Sequence, residues 1–446
     1  MLDHAIVMGG SVAGLCAAAA LTDVAKRVTL LERDADPRGA LARKGTPQGH
    51  HAHVLLNLGA RSLASLFPGV LEQLRERGAV HGDAADICRW FIHGQWRPSF
   101  IKGLEISMQT RPMLEACLRE NLQARPGVEL RFGAAIDEPI FVPGGRAGAG
   151  RIAGVRLASG EQLDADLVVD ATGRGSKSPK WLEQWGFGRP KQQVVELGLA
   201  YVSGLFEIPR EASPIEAVMI YPLPPISPRA PTHAANMRGG VAFHVEGDRW
   251  MVTQFGYHGE HAPTDLSAFR TWAGSLAKPD LHQLLESATL IGELRKFAYP
   301  KQVRHLYEKL GRLPSNYIVH GDAVCSFDPV FGQGMSVASA EAVIMRQMIA
   351  SKGVRPKSIQ AAFGRLIDDP WQLAAAEAHL WSETHGWKPP GVGILHKFTA
   401  RMHGAAAVDN EVYSAFLDVV HLDKRPTSLF KPRLLRKILR KPKPTS

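Results

Sequence analysis

Cysteine is scarce: Cys16, Cys88, Cys117 and Cys325 are the only four in 446 residues. None stands in a Cys-x-x-Cys pair or beside a histidine at metal-ligand spacing. That argues against a disulfide framework, a redox dithiol or a metal site, and for reduced thiols in a cytoplasmic protein. No apolar run approaches the ~20 residues that span a bilayer; the longest, Val12 to Leu21, is short and alanine-rich. No signal-peptide pattern precedes the first strand, which begins straight after Met1. Acid is missing altogether from residues 424–446, where nine lysines and arginines gather. The formal net charge of +10 is therefore a property of the tail, because the rest of the chain holds 44 basic against 43 acidic residues. A body so close to neutral argues against a pervasive nucleic-acid-binding face. What remains, 45% hydrophobic and 22% charged, is globular composition with length for two or three domains.

The opening carries the strongest local pattern. Ala5-Ile6-Val7-Met8 reads as a short strand, Leu15 to Ala25 as a helix and Val28 to Leu31 as a second strand. Between the first two lies Gly9-Gly10-Ser11-Val12-Ala13-Gly14, a phosphate-binding turn with Ser11 in place of the middle glycine. Gly9 permits the tight turn, Gly14 lets the helix approach the strand, and the helix N-terminus faces a pyrophosphate. Glu32, at the end of the second strand and followed by Arg33, is placed to accept hydrogen bonds from an adenosine ribose.

Two further strand ends follow the same logic. Leu167 to Asp170 runs into Ala171-Thr172-Gly173, and Tyr317 to His320 into Gly321-Asp322. Asp328-Pro329 then leads to Gly332-Gln333-Gly334-Met335, which opens a helix through Ile349. An aspartate at a strand end beside a glycine-opened helix suits a cofactor with a polyol chain and a ring that needs a helix N-terminus. No second dinucleotide fingerprint occurs, and the glycine run 144–150 reads as a hairpin loop.

In this order and at these separations, the motifs resemble the single-component FAD-dependent monooxygenases of the p-hydroxybenzoate hydroxylase fold. The stretch Arg43-Lys-Gly-Thr-Pro47-Gln48-Gly-His-His51-Ala-His53, with Gln109-Thr-Arg111-Pro-Met-Leu-Glu115 and the tail around Pro426 to Pro432, is similar to the bacterial branch of polyether epoxidases and related tailoring enzymes. Thr172 departs from the aspartate of an Asp-Gly pair, and Asp328 stands where this branch often has asparagine. The resemblance implies an α/β protein: a Rossmann-like FAD-binding domain of glutathione-reductase type, an inserted β-sheet substrate domain, and C-terminal helices. The corresponding division is 1–84 with 102–186 and 298–350 for FAD, 85–101 with 187–297 for substrate, and 351–446 for the helical region with its basic tail.

It also implies FAD reduced by NAD(P)H, a transient co-substrate, and a flavin C4a-hydroperoxide formed with O2 that oxidises a lipophilic small molecule in secondary metabolism. Arg43 is then expected at the FAD pyrophosphate, and His51 and His53 beside the flavin as the candidate catalytic residues. Arg111 begins a helix as a cation, against the macrodipole, and so calls for an anion; the pyrophosphate is the expected one. The resemblance leaves a flavin-dependent prenyl reductase as the alternative activity. The halogenase loop Trp-x-Trp-x-Ile-Pro is absent, and a non-catalytic nucleotide- or membrane-binding protein is the reading from another class.

Between 187 and 297 the pattern alternates in strands: Gly198 to Ile208, Ala217 to Tyr221, Gly240 to Val245 and Trp250 to Tyr257. Met219, Tyr221, Phe243, Trp250 and Phe255 are the candidate cavity liners, with the Pro-rich stretch Tyr221 to Pro231 as a loop above them. No charged cluster and no dedicated base stands out, which points to epoxidation, or hydroxylation of a non-phenolic substrate. Beyond 352, helices are expected over Ile359–Leu366, Trp371–Ser382 and Tyr413–Leu422. Lys431 to Arg440 forms a short basic amphipathic helix that either meets an anionic membrane or docks its leucines on the body.

Overall fold

The computed structural model describes residues 1–144, 150–213, 215–225 and 236–440. The glycine run at 145–149, the proline-rich stretch from 226 and the last six residues lie outside them.

Five parallel strands form the first sheet, in the order Tyr317–Val319, Leu167–Asp170, Leu2–Met8, Ala25–Leu31, Val128–Arg131. The two strands Tyr317–Val319 and Leu167–Asp170 and the second halves of Leu2–Met8 and Ala25–Leu31 are buried runs, as parallel sheets covered on both faces require, while the edge strand Val128–Arg131 is only partly buried. Three motif-bearing loops, at Gly9, Ala171 and His320, leave the same carboxyl edge, where open α/β sheets bind ligands. Flanking strands Ile136–Val142 and Arg151–Leu157 pair antiparallel, Val142 opposite Arg151, around the glycine run.

The second large sheet is built mainly from residues 192–305. Gln192–Glu207 is its spine, flanked by Thr289–His305 and Arg249–Gly256; beyond these lie Arg238–Val245, Ala217–Ile220, Cys88–Ile92 and Gln95–Trp96. Its two faces bury different cores, because side chains alternate along each strand. Met219, Phe243, Met251 and Phe255 join the main core; Val218, Ala242, Trp250 and Val252 join a satellite core under the helices Leu266–Ala273 and Asp280–Glu286.

The C-terminal region departs from expectation at Val392–Ala406, a helix not foreseen, and at Pro370. A single helix, Pro356–Ala378, continues through Pro370 where two had been expected. Its face of Phe363, Ile367, Trp371 and Ala374 is buried throughout, and that packing outweighs the missing N–H. The last helix, Pro432–Leu439, buries Leu434 and Ile438 against Val392–Ala406 and Asn410–Val420.

Candidate active site

Glycine is obligatory at the first turn. Gly9 has φ +102°, and a Cβ there would lie 2.5 Å from the Ala171 carbonyl oxygen. One on Gly14 would lie 1.8 Å from the Gly9 carbonyl oxygen. Ser11 precedes the helix Val12–Leu21 but does not cap it. Its Oγ instead donates to Glu115 Oε1 (2.8 Å) and accepts from Arg111 Nη2 (2.7 Å). The N–H groups of Val12, Ala13 and Gly14 therefore have no side-chain cap, which is the donor set a phosphate takes.

Around that turn sits a buried charge cluster. Glu32 accepts from the N–H of Gly10 (2.8 Å) and of Asp34 (2.9 Å) and pairs with Arg43 Nη1 (2.8 Å). Arg43 reaches Glu115 Oε2 at 2.9 Å and the Gly10 carbonyl at 3.0 Å. Arg111 Nε donates to Glu115 Oε1 at 3.0 Å. The anion that Arg111 called for is thus supplied first by Glu115, one helical turn on in the helix Arg111–Gln123. Sequence reasoning missed Glu115 as a site residue, although its i, i+4 spacing from Arg111 was visible. Burial alone would raise the Glu115 carboxyl, but Arg111 and Arg43 outweigh it and hold it below the usual carboxylate range. Arg33, by contrast, is exposed.

His51 and His53 belong to the loop that follows Arg43. His51 Nδ1 meets Ser203 Oγ (2.8 Å), which meets Thr253 Oγ1 (2.6 Å), while the N–H of Ala52 donates to Thr253 Oγ1 (3.0 Å). The loop is therefore fastened to adjacent strands of the large sheet. His53 lies between the His51 carbonyl and Arg111. Burial lowers both rings to about 3; His53 adds to the effect on His51, and Arg111 to that on His53. Both are neutral near pH 7.

At the next strand end, Asp170 gathers the N–H and hydroxyl of Thr172 with the hydroxyls of Ser176 and Ser178, shaping the turn at Gly173 (φ +75°). At the third, a Cβ on Gly321 would lie 2.7 Å from Ala13 Cβ, so this loop abuts the turn at Gly9–Gly14. Asp322 makes no hydrogen bond among the described residues; burial pushes its carboxyl up, with Arg111 and Arg174 pulling it down. It stands beside Gly334, whose own Cβ would be 3.6 Å from Asp322 Oδ1. The helix Gln333–Lys352, which carries Met335, starts from Gly332 (φ +63°) with no side-chain cap. Beneath Asp322, the buried Glu341 accepts from the Gly321 N–H at 2.8 Å, a support not foreseen from the sequence.

Pro329 leads the turn between Asp328 and Gly332. Asp328 is fully buried, accepts from Tyr257 Oη (2.8 Å) and the Val330 N–H (3.0 Å), and is raised by burial to about 6. A narrow cleft beside it is lined by Tyr221, Pro222, Tyr257, Val330, Phe331 and Trp381, among others. Of the five candidate liners, Tyr221 is in this cleft and bonds the Val330 carbonyl (2.7 Å). Phe255 packs edge-on to Tyr221, ring centroids 6.1 Å apart. Met219 and Phe243 share that sheet face without lining the cleft. Trp250 does not belong with them: five residues before Phe255, it falls on the opposite face and stacks on His244.

Comparison with known proteins adds the family. Residues 7–76 match the model of an NAD(P)-binding Rossmann-like domain. Over 440 residues the chain is 32% identical to Protein Rv3254 of Mycobacterium tuberculosis, covering 93% of this chain and 88% of that one. The chain belongs to the family of that protein. Its fold is that of the p-hydroxybenzoate hydroxylase type of FAD-dependent monooxygenase. Similar solved structures are PqsL, a probable FAD-dependent monooxygenase from Pseudomonas aeruginosa (16% identity, TM-score 0.60, 93% of this chain and 100% of that), and the flavin-dependent brominase Bmp2 (14%, 0.66, 97% of each). A third is 2-methyl-3-hydroxypyridine-5-carboxylic acid oxygenase (18%, 0.57, 98% and 96%). The family's architecture is therefore the one implied by the motifs, and no helix among the described residues is long and apolar enough to cross a membrane.

Proposed function

We propose that the chain is an FAD-dependent monooxygenase that takes electrons from NAD(P)H and transfers one oxygen atom of O2 to a lipophilic small molecule, by epoxidation or hydroxylation. The observation that carries this is the approach of two helix N-termini without side-chain caps, at Val12 and Gln333, with Asp322, which makes no hydrogen bond among the described residues, beside them. These residues fit FAD. Val12, Ala13 and Gly14 would hold its pyrophosphate with Arg43 and Arg111 nearby, Glu32 its adenosine ribose, and Asp322 its ribityl hydroxyls. The Gln333 helix would place its positive end toward the ring. When bound, FAD supplies the redox chemistry, accepting hydride and activating O2.

The protein's own residues do the rest. Glu115 fixes both arginines, so their charges are oriented before a ligand arrives. His51, Ser203 and Thr253 tie the cofactor loop to the substrate sheet, and His53, neutral, keeps a second cation away from Arg111's partner. Phe331, Val330, Trp381 and the tyrosine rings make much of the lining of the cleft beside Asp328 apolar, which suits contact with part of a lipophilic ligand.

The test is to incubate purified protein with FAD and follow NAD(P)H oxidation across phenols, polyenes and terpenoids, with and without O2. A product heavier by one oxygen, formed only with O2, is expected. Undiminished product formation without O2 refutes the proposal and points to the prenyl-reductase activity.

A further inference from the structure

Behind the cleft lies a row of buried polar side chains that the scheme above does not use. His93 occupies the tight turn between the strands Cys88–Ile92 and Gln95–Trp96, with φ +51°, a region few side chains adopt. It is 2% exposed, and its Nε2 lies 2.7 Å from Oε1 of Glu377, at the end of the helix Pro356–Ala378. The His93 ring stacks on His403, centroids 3.9 Å apart and planes 14° from parallel. Arg97 Nη2 donates to His403 Nδ1 at 2.7 Å, and the same guanidinium reaches the carbonyls of His403 and Ile92. Because Nδ1 accepts that bond, His403 is neutral; burial, His93 and Arg97 together hold it far below the ordinary histidine range.

Arg97 is buried and has no carboxylate partner among the described residues. The acid of this row is Glu377, two imidazoles away. Such a construction is costly for stability alone: apolar residues of similar size would fill the space without burying a cation or holding His93 in a left-handed turn. What it achieves is to pin one carboxylate oxygen. Glu377 lines the cleft with Asp328, Tyr221 and Tyr257, and its Oε2 makes no hydrogen bond among the described residues. The space there is about 30 Å³, room for one water-sized group and not for a whole substrate.

We propose that Glu377, positioned by His93, is a recognition site for a hydroxyl on the substrate: the hydroxyl enters the cleft and donates to Oε2, while the apolar body remains outside this space. The substrate class is then a lipophilic alcohol or phenol instead of a pure hydrocarbon or ether. Glu377 selects the ligand, and His93 is a positioning residue acting through it. This rests on the monooxygenase reading only in calling the ligand a substrate, so binding is measured without NAD(P)H.

The experiment is calorimetric titration of the full chain with FAD, using aromatic and terpenoid alcohols, each beside its methyl ether. Wild-type protein should bind the best alcohol roughly tenfold or more tightly than its ether, the worth of a hydrogen bond to a charged acceptor. Glu377→Gln, which keeps an oxygen for His93 but turns the free arm into a donor, should bring the pair to within about twofold. His93→Ala should do the same and His93→Gln restore part of the preference, with flavin affinity unchanged in all three. A merely structural His93 would lower stability without moving the alcohol-to-ether ratio. Ethers bound as tightly as alcohols, an alcohol preference that survives Glu377→Gln, or no binding by any pair overturns the proposal. Turnover without this preference would overturn it and leave the monooxygenase reading standing.

Discussion

Arg111 donates from Nη1 to Nε2 of His53 at 3.2 Å. That single bond assigns the ring, because Nε2 must accept and the proton therefore sits on Nδ1, where it meets the His51 carbonyl at 2.8 Å. A proton on both nitrogens would set two cations face to face.

Acid should therefore destabilise the fold through these rings. Their folded-state values are about 3 against an ordinary 6.5. The stability is fully present above pH 6.5 and is lost as pH falls toward 3, since only the unfolded chain takes up protons in that window. Each ring costs about 2 kcal/mol by pH 5. Denaturant titrations at pH 7.5, 6 and 5 should show this slope, reduced in His53→Gln; equal stability at the three values would contradict it.

Gly14→Val should yield little folded protein and no bound flavin. Its Cβ would meet the Gly9 carbonyl oxygen at 1.8 Å, backbone that cannot move without opening the turn. Flavin absorbance of the purified variant is the measurement, and wild-type occupancy would be the contrary result.

Glu115→Ala leaves Arg43 and Arg111 without their shared buried anion. Loss of one partner from such a cluster costs roughly 3–5 kcal/mol. Pyrophosphate or FAD should recover part of that loss by supplying the missing negative charge. Thermal melts with and without each ligand read both effects, and a melting temperature within a degree of wild type would show that the cluster is not held by Glu115.

Asp322→Ala should weaken FAD retention by roughly 10- to 100-fold, the worth of one or two hydrogen bonds to a charged acceptor. Since Asp322 makes no hydrogen bond among the described residues, stability of the flavin-free chain should hardly change. Equilibrium dialysis against FAD measures the first and chemical denaturation the second.

The basic tail should prove structural. Ile438 is 2% exposed, Arg433 pairs with Glu411 and Lys437 with both Asp409 and Glu411. Ile438→Asp should lower stability by about 2–4 kcal/mol. Co-sedimentation with anionic vesicles should be equal for the full chain and for a 1–423 truncation; strong binding by the full chain alone would assign the tail to a membrane.

Much of the cofactor half was legible because its constraints are local. A glycine that must turn, an acid at a strand end and a helix opening on glycine are each readable within a few residues, so the Gly9, Ala171 and Gly321 loops could be placed in advance. Partnerships set by packing were not. The period-2 pattern marked Trp250 and Phe255 as strand residues, but their odd spacing, which puts them on opposite faces, went unused. Glu377, His93, His403 and Arg97 lie up to 310 residues apart and no motif links them, so their cluster could not be read along the chain. Pro370 misled in the same way, since the burial that carries a helix through it comes from distant elements.

The tie between His51 and Ser203, with Ala52 on Thr253, bears on how this scaffold could be diversified. Two adjacent strands of the large sheet hold the loop that bears Arg43, so a graft that swaps those strands wholesale would also undo the docking points of that loop. Exchanges confined to the outlying strands Ala217–Ile220, Cys88–Ile92 and Gln95–Trp96 would leave that fastening whole, and directed libraries should be built there.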